Sequence, residues 1–108
     1  MKTIKQYLNF LNDKKSLIGL SDWVVLLNGD FKDMDEYATV EFDIYEKTLK
    51  VDLSVKFESV DVRRKRNILM HELVHAKIGI YNEEIKELIR VREEHLVNDL
   101  TKGYENMW

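Results

Sequence analysis

His71, Glu72 and His75 stand in the order H-E-x-x-H. On a helix, residues four apart share a face, so both imidazoles can turn onto one metal ion. A carboxylate beside the first histidine can then take a proton from a metal-bound water. The chemistry this pattern points to is hydrolysis at a zinc ion, with His71 and His75 as ligands and Glu72 as general base. The chain has only 3 histidines. Shuffling a chain of this composition yields the pattern in roughly half a percent of cases. A catalytic zinc takes three protein ligands and keeps one position open for water, so a third donor is required. Cysteine is absent, which leaves histidine and carboxylate as the candidates.

The motif needs a helix to carry it and other elements to back that helix. Ile4, Tyr7, Leu8 and Leu11 mark a short amphipathic helix over residues 2–12. Trp23-Val24-Val25-Leu26-Leu27 is a compact apolar run suited to a buried strand, and Asn28-Gly29-Asp30 is a turn signal. Apolar and polar residues alternate strictly over Tyr37 to Tyr45 and again over Thr48 to Phe57, which predicts two strands with one buried face. The short Glu46-Lys47 connection predicts an antiparallel hairpin, although it lacks an Asn-Gly type of turn. Ser59 is placed to cap a helix from about Val60 to Ile78 that carries the motif and stops at Gly79. Asn82, followed by Glu83 and Glu84, is placed to cap a last helix reaching about Thr101. The expected fold is a single α+β domain over residues 1–108. It has an N-terminal helix, a three-stranded mostly antiparallel sheet, the H-E-x-x-H helix and a C-terminal helix bearing the third ligand.

Glu93, Glu94 and His95 are the third-ligand candidates on that last helix. Leu96, Val97 and Leu100 fall three, four and seven residues after Glu93, so Glu93 shares their face. Glu94 is rotated by about 100° and His95 by about 200°. Glu93 is therefore preferred, with Glu94 as the alternative.

His71-Glu72-Leu73-Val74-His75 on one helix, followed by Glu93 with Val97 four residues on, resembles the gluzincin group of zinc metallopeptidases. The likeness is to minimal single-domain members, such as small metallopeptidases of bacteriophage genomes and the ImmA/IrrE-type domains. That resemblance implies a zincin-like fold, a Zn2+ cofactor, a peptide or protein substrate lying along an edge strand (Tyr37–Tyr45 or Thr48–Phe57), and peptide-bond hydrolysis. Unlike the larger gluzincins, the sequence stops soon after the third-ligand helix; oxyanion stabilisation is expected from zinc, assisted by His95, Tyr81 or Tyr104.

Composition narrows the other classes. A net charge of −3 gives no general attraction to nucleic acid. Arg63-Arg64-Lys65-Arg66 would spread around a helix and reads as a solvated surface. No apolar run approaches a membrane span and the N-terminus lacks a signal-peptide core, so a cytoplasmic protein is expected. The competing expectation is a zincin-like module kept for protein binding or regulation, with a catalytically idle zinc.

Overall fold

The structure, a computed structural model, describes residues 2–105, with side chains described as far as residue 102. Helix α1 spans Ile4–Lys15. Thr3 and Gln6 form a capping box at its start: the Thr3 hydroxyl accepts from the Gln6 amide at 3.2 Å and the Gln6 carbonyl oxygen accepts from the Thr3 amide at 3.1 Å. The helix continues past the expected end at residue 12, and one tight turn over Ser16–Ile18 leads to Gly19 at φ 78°. That left-handed backbone favours glycine, and it reverses the chain toward Trp23.

Strands β1 (Val24–Leu27), β2 (Ala38–Asp43) and β3 (Thr48–Leu53) form one sheet in the order β1-β3-β2. β2 and β3 pair antiparallel as the hairpin expected, with Val40 opposite Val51 and Phe42 opposite Leu49. β1 runs parallel to β3. The sheet is therefore mixed, a correction to the mostly antiparallel expectation. The long connection through Lys32 allows it: the chain leaves β1 and returns to enter β2 from the far side of β3. The turn between β2 and β3 is held by Asp43, whose carboxylate accepts from the Tyr45 and Glu46 amides at 2.9 and 3.0 Å, and Lys47 adopts φ 54°. The expected third strand also ends early. Ser54 caps a short helical segment over Val55–Ser59, which buries Phe57 against Tyr7 with the rings edge to face at 5.1 Å.

Helix α2 runs without a break over Val62–Glu105. Its cap is Asp61, whose carboxylate accepts from the Arg64 amide at 2.8 Å, rather than Ser59. Leu69, Leu73, Ala76 and Ile80 recur at spacings of four, three and four, and this stripe lies buried with Leu49, Val51, Leu53, Val25 and Ala38 from one face of the sheet. Each fully buried leucine contributes about 2 kcal/mol of transfer free energy. Beyond Ile80 every described residue of α2 is exposed. A helix of 44 residues is about 66 Å long, which accounts for the 70 × 27 × 19 Å dimensions of the molecule.

The single long helix corrects the expected pair of helices. Gly79 does not stop α2. A Cβ built there would lie 2.5 Å from Cε1 of Phe42, so the glycine admits the Phe42 ring to the helix backbone. Asn82 caps nothing, and the segment around it is bridged by Glu83–Lys86 at 3.3 Å, Glu87–Arg90 at 2.6 Å and Arg90–Glu94 at 3.0 Å. The chain has no proline to break the helix, and these i, i+3 and i, i+4 pairs span the segment. Among the described residues, no helix is long and apolar enough to cross a membrane.

Candidate metal centre

The histidines sit beside the buried stripe of α2, between Leu69 and Ala76. Leu73 anchors the helix in the core, so residues 71, 72 and 75 are rotated to the rim between α2 and β2. The Nε2 atoms of His71 and His75 are 2.9 Å apart, and the ring centroids lie 4.4 Å apart at 79°. Two imidazole nitrogens at about 2.0–2.1 Å on one tetrahedral zinc would be some 3.3 Å from each other. The pair thus fits a shared ion with little adjustment of either ring. At 2.9 Å the two nitrogens are also within hydrogen-bonding distance of each other.

Glu72 is half-buried beside them. Burial raises its pKa above the usual carboxylate range, and the nearby Glu36 charge acts in the same direction, against the opposing influence of His75 and His71. The three motif residues line an open groove of about 540 Å³ together with Glu36, Tyr37 and Arg64. The Arg64 guanidinium stacks over the Tyr37 ring, 5.1 Å from its centroid. The groove continues beside β2, where Ala38, Thr39, Val40 and Phe42 border it opposite Glu72, His75 and Ala76. Of the two strands considered as a substrate edge, β3 is central and has neighbours on both sides, whereas β2 is an edge strand.

Glu93 and Glu94 lie elsewhere. Both are exposed on the distal part of α2, and Glu93 lies 18 positions after His75 on the same helix. A rise of 1.5 Å per residue puts it about 27 Å along the axis from His75. Glu94 bridges to Arg90 at 3.0 Å, and Glu93 borders a shallow hollow with Arg90, Val97 and Asn98. Within one chain the structure brings together His71, Glu72 and His75 and does not bring Glu93 or Glu94 to them. Among the described residues, no three histidine or acidic side chains converge in a way that could hold a metal. His95 and Tyr81 are likewise exposed away from the groove, and the Tyr104 side chain lies outside the described residues.

Glu36, Tyr37 and Arg64 were not singled out by sequence pattern. Glu36 and Tyr37 stand in or beside a polar loop, where spacing carries no signal about what they face. One member of the basic run also departs from the solvated expectation. Lys65 is buried, donating to the Tyr7 hydroxyl at 2.9 Å and lying 3.4 Å from Glu58. Those hydrogen bonds, Tyr7 first, raise its pKa despite burial. Its position four residues before Leu69 places it on the buried stripe, and extending that stripe backward is the signal that finds it. Compared with family models, curated proteins and solved structures, the chain matches none.

Proposed function

We propose that the protein is a zincin-like, zinc-dependent hydrolase of peptide bonds. The observation that carries this is the convergence of the His71 and His75 nitrogens to 2.9 Å beside a half-buried Glu72, at the head of a groove bordered by an edge strand. His71 and His75 would hold the ion; Glu93 and Glu94 lie too far along the same helix to serve their own chain's pair, so a third ligand would have to come from elsewhere. When bound, zinc supplies a Lewis acid that lowers the pKa of water and polarises a carbonyl. Glu72 accepts the water proton on its carboxylate and returns it to the leaving amine. Its place suits that role, half-buried beside His71 on the wall of the groove. The free edge of β2 offers backbone donors and acceptors to an extended peptide, which adds as a further strand beside Glu72.

A second reading has its own support. Among the described residues of its own chain the histidine pair has no third donor, and a zincin-like module that binds protein partners needs no catalytic zinc. The two readings part at Glu72. In the hydrolase, Glu72→Gln retains stoichiometric zinc and lowers turnover of an unstructured protein substrate by about 10²-fold or more. Metal content by atomic emission and hydrolysis of casein at matched concentrations measure both. A purified protein without zinc, or a Glu72→Gln variant as active as the parent, removes the catalytic reading.

A further inference from the structure

Val74, Ile78, Tyr81, Ile85 and Leu88 are spaced four, three, four and three apart along α2 and are 41, 55, 60, 37 and 61% exposed. That is the heptad spacing of a coiled-coil seam, on the side of the helix turned away from the sheet. Arg92 continues it by four more residues. The series 74, 78, 81, 85, 88, 92 reads the same from either end, with its midpoint at residue 83. Such a seam is self-complementary for two helices running in opposite directions. Tyr81 then meets Ile85 of the partner subunit, Ile78 meets Leu88 of the partner subunit, and Val74 meets the aliphatic stem of Arg92 of the partner subunit.

Charge and bulk select this direction. A parallel pair would set Arg92 against Arg92 of the partner subunit in the seam and crowd the two globular ends side by side. The antiparallel pair separates both. Two helices in contact over the 19 residues from Val74 to Arg92 touch along about 28 Å and bury on the order of 1,000 Å², the lower limit for a specific dimer.

The register has a consequence for the metal centre. His75 follows seam residue 74 by one position, and Glu93 follows seam residue 92 by one position. Since 74 and 92 face each other, His75 and Glu93 of the partner subunit emerge on the same side of the seam. Along the axis, Glu93 of the partner subunit is level with residue 73, midway between His71 and His75. We propose that two copies of this chain pair antiparallel through the seam Val74–Arg92, and that Glu93 of each reaches the histidine pair of the other. The shared centre rests on the zinc reading above, whereas the pairing does not.

The pairing is tested in the presence of chelator, so that it stands or falls without metal. Sedimentation velocity at micromolar concentration is expected to give a dimer for the wild-type chain and a monomer for Ile85→Glu or Leu88→Glu, both at exposed positions. A wild-type monomer overturns the proposal. Because the chain has no cysteine, Lys102→Cys carries a single spin label. Residue 102 lies 19 positions from the midpoint, so antiparallel pairing sets the two labels on the order of 55 Å apart. Labels within 20 Å mean parallel helices and overturn it. The shared centre is tested by mixing a His71→Ala, His75→Ala double variant with Glu93→Ala. Each alone is expected to lose zinc, and an equimolar mixture to regain about one zinc per four chains, since roughly half of the dimers are mixed and one site in each keeps both histidines and Glu93 of the partner subunit. A dimer in which mixing restores no zinc overturns the shared centre. If the wild-type dimer itself takes up no zinc, the hydrolase reading fails while the sedimentation result upholds the pairing.

Discussion

Asp52 shows how a single side chain can be placed by forces other than apolar patterning. It lies on the alternate face of β3 from Val51 and Leu53, yet it is buried. Burial alone would raise its pKa, but hydrogen bonds from Lys32 and Asn28, at 3.2 Å each, together with the Lys32 charge hold it below the usual carboxylate value of 3.8. A depressed carboxyl pKa contributes stability that is present above the unfolded value and is lost as pH falls through the folded value. Asp52→Asn is therefore expected to cost about 1–2 kcal/mol near pH 7, the scale of a charge-assisted hydrogen bond with a half-exposed lysine. The difference in melting temperature between wild type and variant should shrink as pH drops from 5 toward 2.5. A difference that stays constant across that range would mean the carboxylate charge contributes nothing. The motif residues themselves were legible at this scale, because four-residue spacing on a helix is a property of sequence alone. Lys65 and Asp52 were not set apart from their charged neighbours, since what buries them comes from α1 and from the segment following β1.

For the elements, Gly79 is the informative position. After a long apolar-periodic segment a glycine reads as a stop, because it so often takes the left-handed conformation at a helix end. Here it lies inside α2, where its lack of a side chain admits the Phe42 ring from β2. Local sequence does not distinguish these two uses of glycine. The close approach of a strand does. Glycine inside a helix costs about 1 kcal/mol relative to alanine, so the packing with Phe42 must offset that cost. Gly79→Ala is expected to be neutral or destabilising in the wild-type background, where the new methyl displaces the ring. In a Phe42→Ala background the same change should stabilise by about 1 kcal/mol, as the ring is gone and only the helix preference remains. A double-mutant cycle in urea measures both terms. Equal effects of Gly79→Ala in the two backgrounds would show that Phe42 does not set the requirement for glycine.

Over the whole molecule, stability is concentrated at one end. Residues 4–80 contribute the buried core, whereas Tyr81–Lys102 form helix with every side chain exposed. A helix held only by surface ion pairs, each worth about 0.3–0.5 kcal/mol, is marginal without a partner. Backbone amides of residues 84–100 should therefore exchange with solvent rapidly in the monomeric Ile85→Glu chain, while those of Leu69, Leu73 and β3 exchange slowly. In the wild-type chain the protection of residues 84–92 should rise with protein concentration, as pairing covers the seam. Protection that is concentration-independent and equal to that of the core would mean the distal half is held by its own chain.

By itself the sequence determined an α+β chain with an N-terminal amphipathic helix, an antiparallel hairpin and a helix presenting His71, Glu72 and His75 on one side. Each of these depends on periodicity and spacing within a short segment, and local geometry is enough to give it. Only the tertiary structure decided that β1 joins the sheet parallel to β3, that β2 is the edge beside the histidines, and that α2 passes through Gly79 and carries Glu93 some 27 Å from His75 along its axis. Those outcomes depend on which surfaces meet across the fold. A glycine, a glutamate or an apolar strand has the same local signature whichever neighbour it is given.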